Sequence, residues 1–230
     1  MKAYIFDLDG TLLDSMGLWE QIDRVMLAKR GIPFPENYAE HVEIITPLSP
    51  HETAAYVIQH FGLKETVEEV MHEWDQIAVK AYGSSLPLKP YSKEFLHSLK
   101  AQGAKMAIAT SSPANLCTPA LRRHGILDLF DAVCLSEEVG CGKNKPDIFL
   151  LAAERLGELP QNCIVYEDSL TAIKTAKSIG MTVCAVYDPA SDNTWDEIKQ
   201  IADYIIHDFA ALTVPHENNS RQGAQAGCVL

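Results

Sequence analysis

The chain has 230 residues and a formal net charge of −12, a length that suits one large domain or a core domain with a smaller one inserted. The acidic balance makes nucleic acid an unfavourable ligand, because binding to a phosphate backbone depends on clustered Lys and Arg. The six cysteines form no Cys-x-x-Cys pair, which favours reduced thiols in a cytoplasmic protein. No apolar run approaches the ~18 residues of a membrane span, so we expect no membrane partner.

A short apolar run near the start of the chain ends abruptly in carboxylates. Residues Ala3 to Phe6 predict a buried parallel strand. Asp7 and Asp9 follow it two positions apart, so their side chains would project together and repel each other unless a proton or a cation intervenes. Gly10 allows the backbone to turn sharply. Taken alone, however, Asp-x-Asp-x-Thr is equally typical of a solvated turn with a helix cap.

Helical patterns dominate the next seventy residues. Trp19, Ile22, Val25 and Met26 recur at helical spacing, and Ser49 opens a second helix with a capping box. A third helix follows, and its acidic residues are interpreted as a solvated face: Glu65, Glu68, Glu69, Glu73 and Asp75. We therefore predict a helical insertion over residues 16–85.

Strands and helices alternate after Leu86, as in a doubly wound parallel sheet. The predicted strands are 106–109, 132–135, 163–166, 183–187 and 204–206, with helices between them. Pro119 fits poorly inside a helix, so it is expected to mark a helix start or a kink. The predicted fold is a doubly wound parallel (Rossmann-like) α/β core, residues 1–15 and 86–210, with an inserted α-helical cap domain and a disordered tail at 211–230.

Polar residues cluster where the predicted strands end, and ligands of open parallel sheets bind beyond the carboxyl ends of the strands. Asp7 and Asp9 follow the first strand, Thr110-Ser111-Ser112 the second, and Glu167-Asp168-Ser169 the fourth, while Gly140-Cys141-Gly142-Lys143 precedes a helix. This set supplies a nucleophile, hydroxyls, a cation and further carboxylates. Phosphoryl transfer needs such a set.

These sites, taken in order, resemble the four sequence motifs of the haloacid dehalogenase superfamily phosphatases. The match consists of Asp-x-Asp-x-Thr from Asp7, a strand ending in Thr110, Gly142-Lys143 followed by Pro146-Asp147, and Glu167-Asp168-Ser169 after an apolar strand. The resemblance covers residues 1 to about 207. A helical cap inserted after the first motif is similar to the β-phosphoglucomutase-like branch.

The resemblance and the chemistry of the residues together imply catalytic roles. Asp7 would be the nucleophile, and Asp9 would act as general acid and then as general base. Mg²⁺ would be held by Asp7, the carbonyl of Asp9, Asp168 and Glu167. Thr110 and Lys143 would bind phosphoryl oxygens, with Gly10, Ser111 and Ser112 contributing to the same phosphate site.

Several of these residues have a plainer interpretation. Glu167-Asp168-Ser169 could be a helix N-cap, and Thr110 to Ser112 an ordinary strand-to-helix turn. Lys145 competes with Lys143 for the role of the cation, although the spacing in the family favours Lys143. The glycines at 140 and 142 lack the third glycine of a dinucleotide loop, and no histidine pair has the spacing of a zinc protease.

The function predicted from these motifs is a Mg²⁺-dependent phosphatase that hydrolyses a small phosphomonoester through an aspartyl-phosphate intermediate. Sugar phosphates, nucleotides and phosphoglycolate are all open as substrates, and the protein is expected to be a monomer or a weak homodimer. A sugar-phosphate mutase is the alternative. It is disfavoured because the cap turn Thr46-Pro47-Leu48-Ser49-Pro50 carries no cation for a second phosphate. A third alternative is a catalytically inactive binding or regulatory module.

Overall fold

A computed structural model describes residues 2–45 and 50–213. Six parallel strands form one sheet in the order β3-β2-β1-β4-β5-β6. Their bounds are Ala3–Phe6 for β1, Lys105–Thr110 for β2, Ala132–Leu135 for β3, Cys163–Glu167 for β4, Thr182–Val186 for β5 and Tyr204–Ile206 for β6. The strand order changes direction at β1, which pairs with β2 on one side and β4 on the other.

Helices separate the strands along the chain. After β1 come α1 (Leu18–Lys29), α2 (Tyr38–Ile45), α3 (Pro50–Phe61), α4 (Val67–Ser84) and α5 (Ser92–Ala101). Between later strands lie α6 (Ala114–Arg123), α7 (Ser136–Val139), α8 (Asp147–Leu156), α9 (Leu170–Ser178), α10 (Trp195–Ile201) and, after β6, α11 (Ala210–Thr213). Every one of the five pairings between adjacent strands is parallel.

Both faces of the sheet are covered. On one face Ile5, Ala107 and Val165 join a buried cluster with side chains of α8, α9 and α10. On the other face the Phe6 ring stacks on Tyr166 at 4.7 Å and meets Phe95 of α5 edge-on at 6.3 Å. Neighbouring residues of one strand thus enter opposite layers, as the two-residue period of a strand requires. The predicted doubly wound parallel sheet is confirmed.

The chain divides into two compact units. One joins the described residues up to Met16 with those from Leu86 onward and contains the sheet; the other is Gly17–Ser85 and contains α1 to α4. Within the helical unit, α4 packs on α1 and α3. At the start of the sheet unit's second segment, Asp14 N–H donates to the Pro87 carbonyl and Lys89 N–H donates to the Leu12 carbonyl.

Two expectations about the helical unit are wrong. Trp19 and Val25 belong to the predicted apolar stripe of α1, yet they are 58% and 42% exposed, because Leu18, Ile22, Met26 and Leu27 form the buried face. Glu73 is not merely solvated: its carboxylate binds Lys29 and Arg30 at 2.8 and 2.6 Å. Long cationic side chains at the end of α1 thus pair with α4.

Two further expectations in the sheet unit need correction. Pro119 lies inside α6, which begins at Ala114, so it does not mark the helix start, while a kink at Pro119 stays a prediction. The predicted disordered tail begins too early, because α11 continues to Thr213: Asp208 accepts the N–H of Ala210 at 2.8 Å, and Phe209 is fully buried next to Phe95. Residues 214–230 and the cap turn at 46–49, including the predicted cap Ser49, lie outside the described residues.

None of the five cysteines in the described part of the chain forms a disulfide, and no helix there is long and apolar enough to cross a membrane.

Candidate active site

The site lies at the carboxyl ends of the three central strands. Asp7 follows β1 directly, Thr110 is the last residue of β2, and Glu167 is the last residue of β4. Since β1 pairs with both β2 and β4, these ends are adjacent at the point where the strand order reverses. Open α/β sheets bind ligands at such a point.

Three acidic side chains and one lysine meet there. Carboxylate oxygens of Asp7, Glu167 and Asp168 lie within 4.8 Å of one another, and all three residues are buried. Lys143 reaches this group from the loop before α8, where its Nζ donates to Asp7 Oδ1 and, at 2.8 Å, to Glu167 Oε2. The structure thus brings together four of the residues that the sequence singled out, from three separate motifs. We call Asp7, Glu167 and Asp168 the acidic cluster.

Burial and neighbouring carboxylates raise the pKa of two members of the acidic cluster, Asp7 and Asp168. Burial, with Glu167 and Asp9 as neighbouring charges, raises the pKa of Asp7 to about 7 although Lys143 opposes the shift. Burial, Glu167 and Asp7 likewise raise the pKa of Asp168 well above its ordinary value. Burial alone would lower the pKa of Lys143, but the carboxylates of Asp7 and Glu167 raise it, so this lysine is a fixed cation.

The donor set of the acidic cluster fits a hard divalent cation. Its groups are carboxylate oxygens, which Mg²⁺ prefers, and the ammonium of Lys143 offsets only part of their charge. Gly10 leaves the room that the carboxylates occupy: it has φ +86°, and an added Cβ would lie 2.5 Å from Asp168 Oδ2. Thr11 Oγ1 donates to Asp168 Oδ1 at 2.9 Å and orients this carboxylate.

Both carboxylate oxygens of Glu167 accept hydrogen bonds within the protein. Its Oε1 accepts the backbone N–H groups of Asp168 and Ser169 at 3.2 and 3.1 Å, while Oε2 binds Lys143. Ser169 does occupy the N-cap position of α9, but in the described structure its side chain makes no capping bond. Glu167 therefore orders the loop between β4 and α9 and also holds the cation Lys143.

Both carboxylate oxygens of Asp9 accept hydrogen bonds from serine hydroxyls. Its Oδ1 accepts the Ser15 hydroxyl at 2.7 Å and its Oδ2 accepts the Ser112 hydroxyl at 2.6 Å. The loop that carries it is closed by Gly10 N–H donating to the Leu13 carbonyl at 2.9 Å. The two aspartates of the first motif thus have different partners, a lysine for Asp7 and hydroxyls for Asp9. A role for the Asp9 carbonyl in metal binding stays a prediction.

The predicted phosphate-binding residues lie beside these aspartates. Thr110 is fully buried, and its Oγ1 accepts the N–H of Ser112 at 3.0 Å. The Ser111 side chain is exposed and lies 3.3 Å from the Ser136 hydroxyl. Because the N–H groups of Gly10 and Ser112 both donate within the protein, phosphate binding by these amides stays a prediction.

Lys143 and Lys145 lie in clearly different positions. The Lys143 side chain is 10% exposed and contacts the acidic cluster, whereas Lys145 is exposed. The Lys145 backbone N–H donates to the Gly142 carbonyl at 3.1 Å, which closes the turn before α8. The preference for Lys143 as the cation of the site agrees with this geometry.

Sequence reasoning missed Ser15 and Ser191, which contact predicted aspartates of the site. Ser15 lies six positions after Asp9, and its hydroxyl donates to the Asp9 carboxylate. Its place just after the first motif is the feature of the sequence that could have indicated this contact. Ser191 Oγ donates to the Asp168 carbonyl at 2.8 Å, from the 3₁₀ turn Pro189–Thr194. The sequence offers no sign of this contact, because it depends on how the turn after β5 folds towards Asp168.

Comparison with known proteins identifies the family of this chain. Residues 1–180 match the model of the haloacid dehalogenase-like hydrolase family. A phosphorylated carbohydrates phosphatase of Thermotoga maritima is 29% identical over 79% of this chain and 82% of its own length. Hexitol phosphatase B of Escherichia coli is 27% identical over 92% and 94%, respectively. The crystal structure of a candidate β-phosphoglucomutase from T. maritima superposes with a TM-score of 0.79 at 27% identity, covering 90% of this chain and 94% of that one.

The family match spans the acidic cluster, Lys143 and Thr110, and the prediction of an enzyme of this family is confirmed. The chain belongs to the haloacid dehalogenase-like hydrolases.

Proposed function

We propose that this hydrolase is a Mg²⁺-dependent phosphatase that cleaves a small phosphomonoester through an aspartyl-phosphate intermediate. The observation that carries the proposal is the difference between the two aspartates of the first motif. Asp7 is buried against Lys143 in the acidic cluster, while Asp9 is bound by two hydroxyls outside it. Relatives named as phosphatases of phosphorylated carbohydrates and hexitols support the reaction class.

Asp7 is the nucleophile in this proposal. One of its carboxylate oxygens attacks phosphorus, a new bond forms between that oxygen and phosphorus, and the bond from phosphorus to the ester oxygen breaks. Lys143 favours the ionised form of Asp7 that the attack requires, and it remains beside the nucleophile as a positive charge. The product of this half-reaction is phosphoryl-Asp7 and an alcohol.

Asp9 handles the proton in both half-reactions. It gives a proton to the departing ester oxygen, and the resulting carboxylate then takes a proton from the water that attacks phosphoryl-Asp7. The second step releases inorganic phosphate and restores both aspartates. The hydroxyls of Ser15 and Ser112 suit this role, since a hydroxyl can donate to the carboxylate and accept from the carboxylic acid.

The remaining residues bind and neutralise the phosphate. Asp7, Asp168 and Glu167 would hold Mg²⁺, which when bound offsets the repulsion between the carboxylates and the anionic ester. Thr110 and Lys143 orient the phosphoryl oxygens from the end of β2 and from the loop before α8. The Gly17–Ser85 unit is proposed to be the cap that selects the leaving group.

The experiment is phosphate release by the purified protein from a panel of sugar phosphates, nucleotides, phosphoglycolate and an aryl phosphate, with and without Mg²⁺. We expect release that needs Mg²⁺ and that falls by at least about 10³-fold in Asp7→Asn, because the nucleophile is lost. Lys145→Ala, which changes an exposed lysine near the site, is the control and should keep wild-type rates.

Equal release by the wild type and Asp7→Asn would contradict the proposal. No release from any ester would favour the mutase alternative, and bisphosphate-primed isomerisation of a sugar phosphate would then be the deciding assay.

A further inference from the structure

A buried ion pair lies outside the groups that the proposed reaction uses. Lys89 and Asp188 are 8% and 1% exposed, and Lys89 Nζ lies 2.5 Å from Asp188 Oδ2. The same Nζ lies 3.5 Å from the Tyr187 carbonyl. Removing two charges from water is costly, and a buried pair often adds little net stability over apolar residues of similar size. Since a buried ion pair often adds little net stability, its contribution lies in fixing the path of the chain.

The ion pair joins two loops at the carboxyl end of the sheet. Lys89 N–H donates to the Leu12 carbonyl at 2.8 Å, in the loop after β1. Asp188 follows β5 and opens the 3₁₀ turn Pro189–Thr194. In this turn Asp188 Oδ1 accepts the N–H of Ala190 at 2.9 Å, and the Asp188 carbonyl accepts the N–H of Ser191 at 2.9 Å. Asp188 thus determines both the start and the fold of the turn.

The 3₁₀ turn Pro189–Thr194 also contacts Asp168 of the acidic cluster. Ser191 is 7% exposed, and its hydroxyl donates to the Asp168 carbonyl at 2.8 Å. Asp168 lies between the end of β4 and the start of α9, so its main chain is at a sharp change of direction. A continuous series of contacts therefore runs from Lys89 through Asp188 and Ser191 to Asp168.

We propose that Lys89, Asp188 and Ser191 are positioning residues for the cation site, and that they act by fixing the main chain of Asp168. The ion pair holds the turn in place, the turn presents the Ser191 hydroxyl, and that hydroxyl sets the direction in which the Asp168 carboxylate enters the acidic cluster. Groups that orient a metal ligand from outside the coordination shell commonly affect metal affinity. The inference rests on the proposed function in one respect: it requires Asp168 to bind the cation.

The test is the dissociation constant for Mg²⁺, measured by isothermal titration calorimetry on the full chain without substrate. Ser191→Ala should weaken Mg²⁺ binding by about tenfold, the lower end of the effect of outer partners, because it acts through the main chain. Ser178→Ala is the matched control. It also removes a serine hydroxyl that donates to a carbonyl, that of Thr175 at 2.7 Å in α9, and it should bind Mg²⁺ as the wild type does.

A double-mutant cycle tests the link from the ion pair to Ser191. If Asp188 acts through Ser191, Asp188→Asn weakens Mg²⁺ binding in the wild type but adds little in the Ser191→Ala background. If Asp188→Asn does not fold, Lys89→Met combined with Asp188→Asn removes both charges, keeps an acceptor for Ala190, and supplies the same comparison. Independent, multiplicative effects of the two changes would overturn the proposed link.

The outcomes also separate this inference from the proposed function. A wild-type protein that neither binds Mg²⁺ nor releases phosphate overturns both. A wild-type protein that does both, together with a Ser191→Ala variant whose Mg²⁺ affinity equals that of Ser178→Ala, overturns only the positioning role.

Discussion

At the scale of single residues, the two aspartates of the first motif have different hydrogen-bond partners. Asp7 and Asp9 are two positions apart, yet Asp7 binds Lys143 and Asp9 binds the hydroxyls of Ser15 and Ser112. A charge-assisted hydrogen bond from a hydroxyl fixes the direction of a carboxylate and contributes about 1.5–3 kcal/mol. Ser15 and Ser112 should therefore hold Asp9 where it can protonate a leaving group.

Removing one of these hydroxyls should impair the cleavage of poor leaving groups most. We expect Ser112→Ala to lower kcat/KM for alkyl phosphates by about tenfold, the rate equivalent of 1.4 kcal/mol. A nitrophenyl phosphate should change much less, because its leaving group departs without a proton. The measurement is the dependence of kcat/KM on the pKa of the leaving group, since kcat/KM covers the steps up to departure of that group.

Ser178→Ala serves as the control for this series too, because its hydroxyl lies in α9. Equal losses for alkyl and nitrophenyl esters in Ser112→Ala would show that the serine supports folding of the site but does not position the acid.

At the scale of elements, the start of α5 contains a backbone conformation that its side chain disfavours. Tyr91 has φ 61°, the one positive value found outside glycine in the described chain, and it is 54% exposed. For a residue with a Cβ, this left-handed conformation costs about 1–2 kcal/mol. Because the Tyr91 ring is exposed, its burial offsets little of that cost. Tyr91 lies two residues after Lys89, which forms the ion pair with Asp188.

Tyr91→Gly should therefore raise the free energy of unfolding by about 0.5–1 kcal/mol, since the relief of strain exceeds the added entropy of the unfolded chain. Thermal unfolding should shift upward by roughly 2–4 °C for each kcal/mol gained. Tyr91→Ala is the control, because it removes the ring but keeps the Cβ. If Tyr91→Ala stabilises as much as Tyr91→Gly, the backbone conformation is not the source of the strain.

Much of the element pattern could be predicted from the sequence for a clear physical reason. Strands buried on both faces are short apolar runs bounded by polar residues, and the predicted bounds of β3 and β6 are those observed. The exposure of Trp19 could not be predicted, because it depends on how α1 is rotated against α4. Nor could the contacts of Lys89 and Ser191, which join residues 99 and 23 positions apart through loops.

The candidate site was predictable where chemistry and topology agree. Asp7 directly follows a strand, Thr110 and Glu167 each end one, and parallel strands align those ends at one edge. Lys143 lies in a loop, where strand spacing gives no information. Its prediction as the cation of the site therefore depended on the family resemblance. Ser15 was missed, since a serine near a motif is too common to single out, and Ser112 was predicted for the phosphate site but not as a partner of Asp9.

At the scale of the whole molecule, the raised pKa values of Asp7 and Asp168 link stability to pH. The pKa of Asp7 is about 7 in the folded protein against an ordinary value of 3.8, and burial is the main cause. Between these values the folded state binds more protons than the unfolded state, so stability must fall as pH rises. The pKa of Asp168 is raised for the same reason and acts in the same direction.

We expect the metal-free protein to lose stability from about pH 4 to pH 7 as Asp7 ionises, by at most about 1.4 kcal/mol per pH unit for this group. Mg²⁺ at 100 times its dissociation constant should restore about 2.7 kcal/mol at pH 8. It should restore less at pH 5, where protons compete for the same carboxylates. The measurement is thermal unfolding with EDTA or Mg²⁺ across this range.

Asp7→Asn is the reference for this titration, because it lacks one of the two ionising groups and should show a shallower decline without metal. Parallel pH profiles for the wild type and Asp7→Asn would contradict the assignment of the decline to Asp7.

The most direct test of the whole account is to trap the phosphoryl group on Asp7. In Asp9→Asn, a nitrophenyl phosphate can still phosphorylate the nucleophile because its leaving group needs no proton, but hydrolysis lacks its base. After mixing with Mg²⁺ and quenching in acid, mass spectrometry of the peptide that contains Asp7 should show the mass of one added phosphoryl group. The double variant Asp7→Asn with Asp9→Asn should show none. A phosphoryl group on another residue, or phosphate release by Asp7→Asn at the wild-type rate, would contradict the account.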